Sequence, residues 1–178
     1  MALPVAARLV QGMSLVGVAL GMLAQPAFAQ DIIGPEKTAC APGIKGPAAL
    51  VRVYGLKDRT GQLRVQLYGS NPDDWLAKGK KLKRIEIPVT ATGDMNVCVA
   101  LPRYGEFALY AMHDRGQAGK RELSKDGFGF PQNPTLSGRQ PHFDEAMFVA
   151  RQGVTVVDIA MQYRSGLFSF KPVVAVRD

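Results

Sequence analysis

The chain has 178 residues, of which 47% are hydrophobic and 21% charged, with a net charge of +7. That is an ordinary globular composition, and it excludes collagen, low-complexity disorder and a long coiled coil. The length suits one domain with at most short appendages.

Met1 to Ala29 read as a secretory leader, to be set aside before any fold argument. Arg8 gives the positive start and Leu9–Leu23 an apolar core interrupted by Gln11 and Ser14. Ala27-Phe28-Ala29 then gives the small-x-small pattern that signal peptidase reads, so cleavage before Gln30 is expected. The apolar core is shorter than the roughly 20 residues a membrane span needs, and no cysteine follows Ala29 to carry a lipid anchor. No second apolar run of that length follows, so no transmembrane segment is expected after cleavage. The expected location is the periplasm or the outside of a Gram-negative cell.

A basic balance suits nucleic acid, anionic membrane or acidic glycan. The densest basic cluster is Lys78, Lys80, Lys81, Lys83 and Arg84, just before a predicted strand. It reads as a charged edge that resists strand-to-strand aggregation. An exported protein also meets little nucleic acid, so no nucleic-acid partner is expected. The two cysteines, Cys40 and Cys98, are expected to pair in an oxidising compartment. The chain-entropy model gives about 4 kcal/mol for a bridge closing a loop of that span. Their spacing is unlike a redox C-x-x-C pair, and neither lies beside a histidine.

Residues 30–47 are Gly/Pro-rich and read as an extended lead-in held by Cys40. Strand character begins at Ala48, with Val51 and Val53 on one face and Leu50, Arg52 and Tyr54 on the other. A turn at Lys57–Gly61 and the alternation of Leu63, Val65 and Leu67 complete an expected β-hairpin. Ser70–Trp75 has turn and N-cap chemistry and predicts one short helical turn, with Trp75 plugging an end of the core. Ile85, Ile87 and Val89 alternate, and Pro88 among them marks an edge strand. Val97, Val99 and Leu101 form the next inward set, which puts Cys98 on the outer face. Phe107, Leu109 and Ala111 alternate with Ala108, Tyr110 and Met112.

From Asp114 to Pro141 no strand or helix period is visible. Gly116, Gly119, Gly127, Gly129, Gly138, Pro131, Pro134 and Pro141 punctuate this stretch. A loop of that length inside a compact domain is functional or disordered, and Phe128 and Phe130 argue against disorder. Strands resume at Ala146–Val149 and over Val154–Tyr163, and the tail from Arg164 is expected to supply a last edge strand. About seven strands with almost no helix predict an all-β fold, a two-sheet antiparallel sandwich of immunoglobulin-like or prealbumin-like type. A small β-barrel is the second candidate.

Four blocks of this chain resemble a bacterial exported family without an assigned activity, domain-of-unknown-function family 2141. They are Gly55–Tyr68, Gly105–Asp114, Gly127–Pro134 with Phe143–Phe148, and the strand ending at Tyr163. The resemblance spans Ala48 to Tyr163 and implies a small exported β-sandwich. It supplies no reaction, ligand or catalytic residue. Many relatives follow the His-Asp pair with a run of calcium-loop type. Here Gly116 and Ala118 stand where oxygen ligands are needed, and Arg115, Lys120 and Arg121 add cations, so calcium is not expected.

Only two histidines exist, His113 and His142, and they flank the long loop. With Asp114, Asp126 or Asp144 they would make a transition-metal site. The structural alternative is that His113 caps a strand end and bonds the loop. No G-x-S-x-G, phosphate loop or placed carboxylate pair occurs, and Ser124, Ser137 and Ser165 lack local support. Phe128, Phe130 and Asn133 either contact a ligand or fold back to plug the sandwich end. The preferred reading is a non-catalytic binding or interaction module of the cell envelope, needing no cofactor. Its surface is the 114–141 loop with His113, Asp114, Asp126, Phe128, Phe130 and Asn133, and its partner an envelope protein or glycan. A metal-binding protein using His113, His142, Asp114 and Asp144 is the alternative, and a hydrolase the third reading.

Overall fold

The computed structural model describes residues 31–174 and 176. The expected leader lies outside these residues. Eleven strands form two sheets, with two short 3-10 turns and no α-helix among the described residues. The strands are β1 (Ile32–Ile33), β2 (Ala48–Tyr54), β3 (Gln62–Tyr68), β4 (Lys83–Pro88), β5 (Met95–Ala100) and β6 (Gly105–Asp114). They continue with β7 (Gly127–Gly129), β8 (Met147–Ala150), β9 (Val154–Ala160), β10 (Gln162–Arg164) and β11 (Phe170–Pro172). One sheet runs β1-β5-β2-β9, and the other β11-β10-β7-β6-β3-β4 with β8 also paired to β6. The sheets do not close into a barrel, and the architecture is a β-sandwich.

The inward faces meet as the alternation requires. Val51, Val53, Val97 and Ile159 of the four-stranded sheet pack on Leu63, Val65, Leu67, Phe107 and Leu109 of the seven-stranded one. Each such side chain contributes about 1.5–3 kcal/mol through removal from water. Pro88 ends β4, which is an edge strand as expected.

The expected hairpin between residues 48–56 and 62–68 does not form. β2 pairs β5 and, in parallel, β9, whereas β3 pairs β4 and β6 in the other sheet. The segment between β2 and β3 therefore crosses from sheet to sheet. The run from Val154 to Tyr163 crosses at the same corner, because Met161 leaves β9 for β10 while its N–H still donates to the Tyr54 carbonyl at 2.9 Å. The four-stranded sheet is consequently mixed, with β1–β5 and β2–β9 parallel. The strand count exceeds seven because β1, β7, β10 and β11 are only two or three residues long, too short to show a period.

Residues 114–141 are not structureless either. Gly127-Phe128-Gly129 is β7, wedged between β6 and β10. Its glycines are steric necessities. A Cβ on Gly127 would lie 2.4 Å from the Tyr163 ring, and one on Gly129 would lie 2.4 Å from Ile159 Cγ2 and 3.0 Å from the Ala160 carbonyl. Trp75, Phe128 and Phe130 do not plug the end of the sandwich. They form a second apolar layer on the outer face of the seven-stranded sheet, over Tyr68, Ala108, Tyr110 and Met112. That is why β6 is buried on both faces and reads as a near-continuous apolar run.

The lead-in is pinned at three points rather than simply extended. β1 lies parallel to β5, Lys37–Cys40 forms a 3-10 turn, and Cys40 bridges Cys98 on the outer face of β5. Glu36 accepts from Lys83 Nζ at 2.6 Å and from the Ala100 N–H at 2.8 Å, so it ties β4 of one sheet to β5 of the other. Of the basic cluster, Lys80, Lys83 and Arg84 face Asp74, Glu36 and Glu86, which suits a solvated edge. The bridge closes a 58-residue separation. Its removal by Cys40→Ser with Cys98→Ser is expected to cost about 3–4 kcal/mol. A thermal scan of the oxidised protein against this variant would then show a fall of about 10 °C. A fall under about 3 °C would mean the lead-in is held by β1 and Glu36 alone.

Candidate functional site

β6 ends in His113 and Asp114, whose side chains take opposite faces of the seven-stranded sheet because neighbours on a strand alternate. His113 points inward and is fully buried. Its Nε2 lies 2.8 Å from the Thr60 carbonyl, which can only accept, so Nε2 carries the proton and donates. Nδ1 is then an acceptor for the Tyr163 hydroxyl at 2.6 Å. That hydroxyl in turn accepts from the Lys57 N–H at 3.0 Å. The chain of bonds is complete and neutral, and it staples the β2–β3 crossover to β6 and β10. Burial pushes the His113 pKa below its ordinary 6.5, against the opposing pull of the Thr60 carbonyl and Asp58. Burial likewise raises that of Tyr163.

A histidine with a depressed pKa binds its proton more readily in the unfolded chain. The stability it contributes is therefore present above about pH 6.5 and lost as the pH falls below that value. The urea midpoint is expected to fall between pH 7 and pH 5, with a slope of at most about 1.4 kcal/mol per pH unit from this group. His113→Gln should lower the midpoint at pH 7.5 and flatten that slope. An unchanged slope in the variant would assign the titration to another group.

Asp114 points outward yet is also fully buried. It accepts from Arg64 Nη2 at 3.1 Å, Gln62 Nε2 at 3.4 Å, and the N–H groups of Ala118 and Gly119 at 3.0 and 3.1 Å. Asp126, equally buried, accepts from the Arg115 and Glu122 N–H groups. Arg115 closes the arrangement on Asp58. Burial works against the Asp58 carboxylate, but bonds from Arg115 and Thr60 outweigh it and hold its pKa below the usual carboxylate range. The two buried acids thus organise the first half of the 114–141 segment through its own backbone.

Asn133, with a left-handed φ of 47°, accepts from the Ala160 N–H at 2.7 Å and donates to the Asp158 carbonyl at 3.3 Å. It covers the open edge of β9. His142 and Asp144 lie exposed beyond the second half of the loop, where the His142 N–H donates to Glu145. The proposed metal set of His113, His142, Asp114 and Asp144 is not brought together. No cluster of three or more His, Cys, Asp or Glu side chains suited to a metal exists among the described residues. The reason is geometric, since His113 and Asp114 take opposite faces of one strand.

The second half of the segment leaves an opening. Phe128, Phe130, Leu136 and Phe170 floor a cleft of about 340 Å³, and Arg121, Leu123 and Arg139 stand on its rim. Trp75 backs the floor, edge-on to Phe130 with ring centroids 6.3 Å apart, and its indole N–H donates to the Pro141 carbonyl at 2.9 Å. Arg139 is committed, with Nη1 and Nη2 each 2.7 Å from a Glu145 carboxylate oxygen, and that pairing draws the Glu145 pKa down to about 2. Of the residues read from sequence, the structure places Phe128 and Phe130 in the cleft. Asp114 and Asp126 hold the backbone of the first half of the loop and Asn133 holds its middle to the end of β9, whereas His113 bonds Thr60 and Tyr163 and not the loop. Arg121, Leu136 and Phe170 were missed. Phe170 reaches the cleft only through the β10–β11 pairing, which no local pattern announces.

No curated protein and no solved structure matches the chain. A family model does match residues 51–158, from within β2 to within β9. Its family is DUF2141, described as an uncharacterized protein conserved in bacteria, and the chain belongs to that family.

Proposed function

We propose that this protein is a non-catalytic binding module of the bacterial cell envelope, exported through a cleaved leader, whose working surface is the face built by residues 121–141 and β11. One observation carries the reading. The buried His113, Asp114 and Asp126 are satisfied by internal bonds, while the loop that the two acids brace frames an open apolar cleft on a rigid sheet. A reacting site needs a base or nucleophile with a free valence towards substrate. A binding surface needs a firm scaffold, apolar area and a few polar groups. The Cys40–Cys98 bridge and the leader-like N-terminus support the envelope location.

The location is tested by fractionating cells that express the full chain. The reading expects a processed protein beginning at Gln30 in the periplasmic fraction; an unprocessed chain in the cytoplasm would refute it. The surface is tested by hydrogen exchange of the purified protein with and without soluble envelope extract. Slower exchange over residues 121–141 and 168–172, and none around exposed Val156 on the opposite sheet, is the expected result. Protection elsewhere, or nowhere, would contradict the assignment of this face.

A further inference from the structure

We infer that the cleft takes a small amphiphilic anion, an apolar chain or ring bearing one carboxylate, with the head group on Arg121 and the body on Phe128, Phe130, Leu136 and Phe170. The inference rests on the reading of this face as the working surface, and it specifies the ligand. The floor is apolar throughout, so the ligand's body must be apolar. The opening is at the small end of ligand pockets, roughly 300–1,000 Å³, which suits a small molecule rather than a protein segment.

The two rim arginines differ in a way that selects charge. Arg139 is fully engaged by Glu145 in a two-point pairing. Arg121 has no carboxylate within ion-pair distance among the described residues. The nearest acid in sequence, Glu122, faces Lys125 at 3.2 Å. Arg121 nevertheless lines the same cleft as Phe128, Phe130, Leu136 and Phe170. A guanidinium beside an apolar floor presents a planar fork that matches a carboxylate. A neutral lipid would leave that fork unmatched, a cation would be repelled, and a polar glycan would not cover the floor.

The test is a titration of the purified protein with sodium octanoate, 1-octanol and octylammonium, three eight-carbon amphiphiles with an anionic, a neutral and a cationic head group. Trp75, the only tryptophan in the chain, reports binding by fluorescence, and amide chemical shifts locate it. Octanoate is expected to saturate with shifts confined to the cleft residues, and to bind at least tenfold more tightly than octanol or octylammonium. Arg121→Gln should lose at least tenfold in octanoate affinity and leave octanol unchanged, with Arg121→Lys in between. Arg121 is exposed, so the thermal midpoint of these variants should match the parent. Equal binding of octanoate and octanol, an unchanged affinity in Arg121→Gln, shifts mapping elsewhere, or no octanoate binding would each overturn the inference. Octanol binding in the cleft without a charge preference would overturn the anion and leave the face a binding surface. Octanoate binding without any protection by envelope extract would uphold the site and remove the envelope-partner reading.

Discussion

Asp114→Ala is expected to destabilise the protein by about 3 kcal/mol, through the charge it strands rather than the contact it removes. Arg64 is 2% exposed, and its guanidinium faces Asp114, Glu86 and the Met112 sulfur. Loss of one partner from a buried ion pair typically costs about 3–5 kcal/mol. The lower end applies because Glu86 remains 2.6 Å from Arg64 Nε. The Ala118 and Gly119 N–H groups also lose their acceptor, but both residues are exposed and water can replace it. Arg64→Met combined with Asp114→Leu removes the stranded charge, and should recover at least half of the loss in a urea titration. A double variant as weak as Asp114→Ala alone would show that the carboxylate acts mainly through the loop backbone.

Gly127→Ala should be comparably severe, at about 4 kcal/mol. The new methyl would sit 2.4 and 2.5 Å from two carbons of the Tyr163 ring and 2.9 Å from its hydroxyl oxygen. Overpacking of this kind costs about 1–3 kcal/mol. The ring has no free direction of escape, because its hydroxyl is bonded to both His113 and Lys57. If the ring moves, a buried histidine nitrogen loses its partner, at about 1–3 kcal/mol more. The expected signature is a thermal midpoint lower by about 10 °C. Because the His113 bond is broken, the fall in stability between pH 7 and pH 5 should also change. A Gly127→Ala protein with the parent's midpoint would mean that β7 can slide away from β10.

What could be read along the chain was whatever depends on alternation. Val97 and Val99 inward with Cys98 outward gave both the core face of β5 and the disulfide side. Pro88 marked an edge. Sheet membership was not readable in the same way. The turn residues Lys57–Gly61 fit a hairpin and a crossover equally well, and only the β2–β9 pairing, about a hundred residues apart, decides between them. The second apolar layer did leave a trace. Ala108, Tyr110 and Met112 occupy the face of β6 that a half-exposed strand would fill with polar residues. Read that way, they imply a cover, and Phe128 and Phe130 are the side chains available to supply it. The site divides along the same line. The aromatic floor was visible in Gly-Phe-Gly-Phe, whereas the partner of His113 lies fifty residues away at Tyr163 and no spacing rule connects them.

The claim that the polar residues brace while the cleft binds is tested most directly by two variants in the same extract-exchange measurement. Leu123→Glu alters an exposed rim residue, and His113→Gln alters a buried support. The account predicts that Leu123→Glu keeps the parent's thermal midpoint and loses the protection over residues 121–141. It predicts that His113→Gln lowers the midpoint and, measured below it, keeps that protection. The reverse pattern, with protection lost in folded His113→Gln and retained in Leu123→Glu, would place the function at the histidine and contradict the account.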